Sequence, residues 1–209
     1  MAIAIDDLKK RRHILIVDVT GSMSEPVSSN NPQSRIAYAA ESTLAVSRAI
    51  MELQPEGFDF YTFNEKFRHY PRATPDTVRD VFARTAPVGG TDFLGVLKDA
   101  LKIHFDAGDR PSTILMVTDG NPNVPTVDDA RKAVANLITA SAARLESDAE
   151  LGIGFFQVGQ DPNARQFLKT LDDDLQRVYK AKFDIVSTLT FDELAEKGIT
   201  AALLSAVNE

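Results

Sequence analysis

Three oxygen-bearing side chains stand at alternate positions directly after an apolar run near the start of the chain. The run covers residues 14–17, and the side chains are Asp18, Thr20 and Ser22. Four consecutive apolar residues, most of them β-branched, are typical of a strand buried on both faces, and Gly21 lets the backbone turn sharply after it. Open α/β sheets bind ligands at the carboxyl ends of such strands. Because hard oxygen atoms suit hard divalent cations, the pattern predicts metal coordination.

Two later loops add further oxygen donors. Thr91 follows Gly89 and Gly90 in a loop before a predicted helix, and Asp119 follows a second apolar run at residues 113–118. Loops after the carboxyl ends of parallel strands emerge on one side of the sheet, so we expect all five donors to face one point. Two carboxylates and three hydroxyls, completed by waters, suit Mg²⁺ or Mn²⁺ better than Ca²⁺, which prefers more carboxylates.

The elements that would position these donors alternate between strands and helices. Their alternation predicts an α/β fold, with a doubly wound, mainly parallel, Rossmann-like sheet and helices on both faces. We expect a single domain over residues 1–209, in which residues 1–12 are a solvated lead-in. Predicted strands cover residues 14–17, 58–63, 65–70, 113–118, 151–158 and 183–186; predicted helices cover 36–53, 74–84, 93–105, about 126–145, a segment from 161, and 190–206.

Composition excludes several classes of function. The net charge of −7 argues against a nucleic-acid-binding surface, which needs a basic footprint. The absence of cysteine excludes disulfides, zinc-thiolate sites and thiol catalysis. No apolar run approaches the roughly 18 residues of a membrane span. The apolar run at the N-terminus is too short for a signal peptide. A cytoplasmic protein is therefore the default expectation.

The five donors resemble the metal-ion-dependent adhesion site of a von Willebrand factor A domain. The resemblance rests on Asp18-x-Thr20-x-Ser22, on Thr91 after two glycines, and on Asp119 in Thr-Asp-Gly, and it extends from His13 to the last helix. Thr20 stands where serine is common in that family. The resemblance implies a doubly wound sheet with one antiparallel edge strand, which residues 58–70 would supply. It also implies that Thr20 and Ser22 ligate the ion through hydroxyls, that Thr91 does so directly in the active state, and that both aspartates often act through water.

The same resemblance implies a protein partner whose Glu or Asp fills the open position of the ion. The short chain without cysteines is similar to intracellular bacterial members, which commonly work beside AAA+ ATPases or stress-response proteins. The expected cofactor is Mg²⁺, with Mn²⁺ or Ca²⁺ as alternatives. The residues expected to form the partner-binding rim are Met23, Glu25, Asp92, Asn121 and Asn123.

One enzymatic alternative shares part of this pattern. In a Mg²⁺-dependent phosphotransferase of the haloacid-dehalogenase type, Asp18 would be the nucleophile. Pro122 and Asn123 stand where that class needs carboxylate chemistry, and its balancing lysine could only be Lys98 or Lys102, both within a predicted helix. The sequence also has no Walker loop and no His placed beside a plausible Ser nucleophile. We therefore expect a binding module and no enzyme activity.

Overall fold

Six strands of the chain form one sheet in the computed structural model, which describes residues 5–120, 127–190, 193 and 203–204. Two further strands lie outside this sheet, so the described residues contain eight: β1 (Arg12–Asp18), β2 (Pro26–Ser28), β3 (Asn31–Ser34), β4 (Phe58–Phe63), β5 (Phe67–Ala73), β6 (Ser112–Thr118), β7 (Leu151–Gln157) and β8 (Val186–Thr190). The sheet has the order β5-β4-β1-β6-β7-β8, and β2 and β3 form a separate hairpin. Only the β4–β5 pair of this sheet is antiparallel. This confirms the predicted doubly wound, mainly parallel sheet with one antiparallel edge strand.

Helices connect most of the strands, and two of them begin where the predicted capping residues place them. Thr74 caps one helix by accepting a hydrogen bond from the Thr77 N–H, and Asp161 caps another through the N–H groups of Asn163 and Ala164. No described helix has both the length and the apolar character needed to span a bilayer. The helices are α1 (Ile5–Leu8), α2 (Arg35–Leu53), α3 (Pro75–Arg84), α4 (Phe93–Ala107), α5 (Val127–Ala142) and α6 (Pro162–Asp173).

The central strand β1 is buried on both faces, as its composition predicts. Ile14 and Ile16 belong to the core that α4, α5 and α6 cover, whereas Leu15 and Val17 belong to the core beneath α2 and α3. All four side chains are fully buried. Since helices cover both faces, polar side chains at the end of β1 meet the loops and the ends of neighbouring elements at the carboxyl edge of the sheet.

Several segments differ from the sequence-based expectation. The described part of the lead-in predicted over residues 1–12 contains α1, and its Leu8 and Arg11 side chains are buried, so it is not a solvated segment. The edge strand predicted over residues 65–70 is β5, which runs from Phe67 to Ala73.

Residues 25–34, predicted as a loop, contain the β2–β3 hairpin, which leads into α2. The last strand pairs with β7 from Val186 to Thr190, three residues later than predicted. Phe183 suggested the earlier position, but it packs against the core from outside the strand, so its apolar character reflects burial and not strand pairing. Most of the predicted helix over residues 190–206 lies outside the described residues.

A buried histidine at the other end of β1 predicts that the stability of the fold depends on pH. His13 is fully buried and its Nε2 donates to the Leu8 carbonyl at 3.1 Å. Burial lowers the pKa of His13 to about 4. Because this pKa lies below that of the unfolded chain, about 6.5, protonation disfavours the folded state. In chelator, we expect the free energy of unfolding to fall by roughly 2 kcal/mol from this group between pH 7 and 4.5.

The variant His13→Gln, which keeps a donor without a titrating ring, is the matched test. Urea denaturation of both proteins at the two pH values should give a smaller acid loss in the variant. An equal loss in both proteins would show that other groups control the acid sensitivity.

Candidate metal centre

Asp18 is held rigidly at the carboxyl end of β1. It is fully buried; its Oδ1 accepts a hydrogen bond from the Thr20 N–H at 2.9 Å, and its Oδ2 accepts one from the Thr118 hydroxyl at 2.7 Å. The Thr118 hydroxyl in turn accepts from the Gly120 N–H at 3.0 Å. These bonds tie the end of β1 to the end of β6 and fix the orientation of the carboxylate.

Two of the three predicted hydroxyl ligands, Thr20 and Ser22, meet on the turn that follows. Residues Gly21–Ser24 form a short 3₁₀ turn, closed by the Met23 N–H donating to the Thr20 carbonyl at 3.1 Å. This turn places the Thr20 and Ser22 hydroxyl oxygens 3.1 Å apart. The alternate spacing that the sequence shows is therefore converted into two neighbouring oxygen donors directly after the Asp18 carboxylate.

The loop that carries Thr91 is attached to the same turn by main-chain hydrogen bonds. The Gly21 N–H donates to the Gly89 carbonyl at 3.1 Å, and the Val88 N–H donates to the Val19 carbonyl at 3.1 Å. Gly89 has a φ of +81°, which favours glycine. The loop thus comes directly alongside the Asp18–Ser22 segment, with half-buried Thr91 two residues after the contact point.

Asp119 reaches the centre from β6 and is paired with an arginine that the sequence analysis did not select. Arg35 begins α2, is 8% exposed, and donates through Nη1 to Asp119 Oδ2 at 2.9 Å. The same Nη1 lies 3.4 Å from the Ser22 carbonyl oxygen, and Nη2 lies 3.2 Å from Glu25 Oε2. The sequence does contain an indication that Arg35 has a special role. A cation in the first turn of a helix opposes the helix dipole, so an arginine at this position is unusual.

Burial and the neighbouring charge act together on Asp18. Desolvation, and after it the nearby negative charge of Asp119, raise the pKa of the Asp18 carboxyl to about 7, although hydrogen bonds from Thr20 and Thr118 act to lower it. Two buried carboxylates of this kind need positive charge. Arg35 supplies one such charge. The donor set of carboxylates and hydroxyls also fits a hard divalent cation.

The rim residues predicted from the sequence have different surroundings. Met23 is fully buried in the core, so the structure corrects its placement: its side chain fills space beneath the turn and is not available to a partner. Glu25 is 61% exposed beside Arg35. Asp92 is half-buried and caps α4 by accepting from the Gly95 N–H at 2.9 Å. Asn121 and Asn123 lie outside the described residues.

Within the described ranges, no three His, Asp or Glu side chains group as a ready-made metal cluster. A site here depends on hydroxyl oxygens as well as carboxylates. That composition is less suited to Ca²⁺ than to Mg²⁺ or Mn²⁺.

Comparison with known proteins identifies the architecture. No protein-family model and no curated protein matches the sequence. Solved structures do match: a von Willebrand factor type A protein from Catenulispora acidiphila superposes with a TM-score of 0.58 over 95% of this chain at 16% identity. The SpRpn10 VWA domain gives a TM-score of 0.54 over 93% of this chain at 12% identity. The chain has a von Willebrand factor A-like fold.

The von Willebrand factor A-like fold occurs in proteins of different lengths. A variant of the PilB minor pilin from Streptococcus sanguinis gives a TM-score of 0.64 over 92% of this chain at 10% identity. The present chain spans 62% of that pilin, 43% of the Catenulispora chain and 93% of the SpRpn10 domain. At such identities the likeness concerns the fold alone.

The alternative function, a phosphotransferase of the haloacid-dehalogenase type, is not favoured by the surroundings of Asp18. Both oxygens of Asp18 already accept hydrogen bonds and the side chain is fully buried, whereas a nucleophile must be accessible to substrate. Of the two lysines considered for that mechanism, Lys102 pairs with Asp106 on the exposed surface of α4.

Proposed function

We propose that this protein is a metal-dependent protein-interaction module. It would hold Mg²⁺, or alternatively Mn²⁺ or Ca²⁺, through Asp18, Thr20, Ser22, Thr91 and Asp119. The observation that carries the proposal is the buried Asp18 carboxylate, which Thr20 and Thr118 hold close enough to Asp119 to feel its charge, with two hydroxyl oxygens 3.1 Å apart on the adjoining turn.

Each group of residues has a distinct task in this proposal. Asp18 and Asp119 supply negative charge, while the Thr20 and Ser22 hydroxyls and the Thr91 loop supply neutral oxygens. When bound, the ion offers a Lewis-acidic position to a Glu or Asp side chain of a partner. No nucleophile with a neighbouring general base is part of the arrangement, and the proposed role is binding without turnover.

The identity of the partner follows only from the family resemblance. By that resemblance the partner is an AAA+ ATPase or a stress-response protein, and the interaction takes place in the cytoplasm.

Thermal unfolding of chelator-stripped protein tests the metal site. An ion at about 100 times its Kd stabilises the folded state by roughly 2.7 kcal/mol. For a domain of this size we expect Mg²⁺ to raise the Tm by about 5–10 °C, and Thr91→Ala to remove most of that rise. The matched control is Thr85→Ala, a half-buried threonine that caps the end of α3 and should leave the response to Mg²⁺ intact.

Two results would contradict the proposal. A Tm that responds to none of the three ions would rule out the metal site. Hydrolysis of phosphomonoesters that Asp18→Asn abolishes would replace the binding module with a phosphotransferase.

A further inference from the structure

We infer that Arg35 is a built-in counter-cation of the candidate metal centre, which competes with the bound ion for Asp119 and strengthens the attraction for a partner carboxylate. This inference rests on the proposed metal-binding function. It assigns a role to a residue that lies outside the five predicted ligands.

The contacts of the guanidinium connect three parts of the centre. Nη1 binds the Asp119 carboxylate at 2.9 Å and approaches the Ser22 carbonyl at 3.4 Å. Nη2 pairs with Glu25, on the exposed side, at 3.2 Å. Arg35 therefore contacts the side chain of one predicted ligand, Asp119, and the main-chain carbonyl of another, Ser22. It also contacts the predicted rim residue Glu25.

Placing the Arg35 guanidinium at this position costs folding free energy. An arginine in the first turn of α2 opposes the helix dipole. Its Nε is buried without a hydrogen-bond partner. Gly159 has a φ of +86°, and a Cβ at this position would lie 2.8 Å from that Nε, so the backbone leaves room for the guanidinium. The balancing interaction is the buried ion pair with Asp119.

The charges of the buried groups explain what Arg35 does. Asp18 and Asp119 together carry two negative charges when ionised, and Arg35 leaves one of them uncompensated. Glu25, which pairs with Nη2, is 61% exposed, so solvent screens its charge and it is not counted with the buried groups. A divalent cation then gives the buried centre one net positive charge, which a single partner carboxylate neutralises. Without Arg35, the same ion would leave the centre neutral. Arg35 therefore weakens the attraction for the ion and increases the attraction for an anionic partner.

The decisive variant is Arg35→Met, which removes the charge and keeps most of the apolar stem. Isothermal titration with Mg²⁺ should show binding on the order of tenfold tighter than in the wild type, a change of about 1.4 kcal/mol. In chelator the variant should have a lower Tm, and Mg²⁺ should raise that Tm by more than in the wild type. Should Arg35→Met not fold, Arg35→Gln retains a hydrogen-bond donor without the charge and gives the same test.

The matched control is Arg11→Met at the opposite edge of the sheet. Arg11 is also buried, and it donates to the Thr113 hydroxyl at 2.7 Å and to the Ala149 and Ser112 carbonyls at 2.5 Å each. Its loss should lower stability and leave the affinity for Mg²⁺ unchanged.

The outcomes separate the two proposals. Equal or weaker Mg²⁺ binding by Arg35→Met, with normal binding by the wild type, overturns the counter-cation and leaves the metal site standing. Tighter binding by Arg11→Met as well would show that the gain reflects general destabilisation, which also overturns the role of Arg35. Absence of Mg²⁺ binding in every protein overturns the metal site and the counter-cation together.

Discussion

Phe93→Ala is expected to lower the free energy of unfolding by ~3–5 kcal/mol, the usual cost of removing a buried ring. Phe93 is 3% exposed at the start of α4. Its ring centroid lies 6.1 Å from that of Phe63, 5.7 Å from that of Phe155 and 5.8 Å from that of Phe167. The side chain therefore joins β4, β7 and α6, and Ala would leave a cavity among rings that cannot all move inward.

Urea denaturation in chelator measures this loss independently of any bound metal. Leu94→Ala is the control, because Leu94 is the next residue of α4 and is 39% exposed, so its loss should cost less than about 1 kcal/mol. Because Phe93 anchors the segment that carries Thr91, the Phe93 variant should also respond less to Mg²⁺. A cost similar to that of Leu94→Ala would mean that the neighbouring rings close the cavity.

Gly120→Ala is expected to destabilise the fold by ~2–4 kcal/mol, through backbone strain and a steric clash. Gly120 follows Asp119 with a φ of +77°, and a Cβ there would lie 2.9 Å from the Cβ of Ala164 in α6. Gly108→Ala separates the two causes. Gly108 has a φ of +56°, but the nearest atom to an added Cβ is 3.9 Å away, so that variant experiences the strain alone.

A double-mutant cycle with Ala164→Gly tests the clash directly. Removing the Ala164 methyl should recover part of the stability that Gly120→Ala loses, beyond the sum of the single changes. Additive effects would show that only the backbone strain matters at Gly120.

The parts of this molecule that sequence predicts are those that local patterns determine. An apolar run followed by a carboxylate marked the ends of β1 and β6, and that pattern placed Asp18 and Asp119 at one edge of the sheet. Arg35 was missed because its contact with Asp119 spans 84 residues, and no local pattern reports which distant carboxylate an arginine meets. Met23 was assigned to the rim because it follows the polar motif, but the 3₁₀ turn points it into the core.

The antiparallel edge strand β5 affects whether a further strand can pair with this edge of the sheet. The register between β4 and β5 shifts between Phe58 and Phe60, so two exposed residues, Pro71 and Arg72, oppose one position of β4. Pro71 has no N–H to donate, and Arg72 leaves the extended conformation with a φ of +53°. A further strand, from another copy or from an unfolded chain, finds an interrupted template at this edge. The fold thereby resists self-association through main-chain pairing on this side.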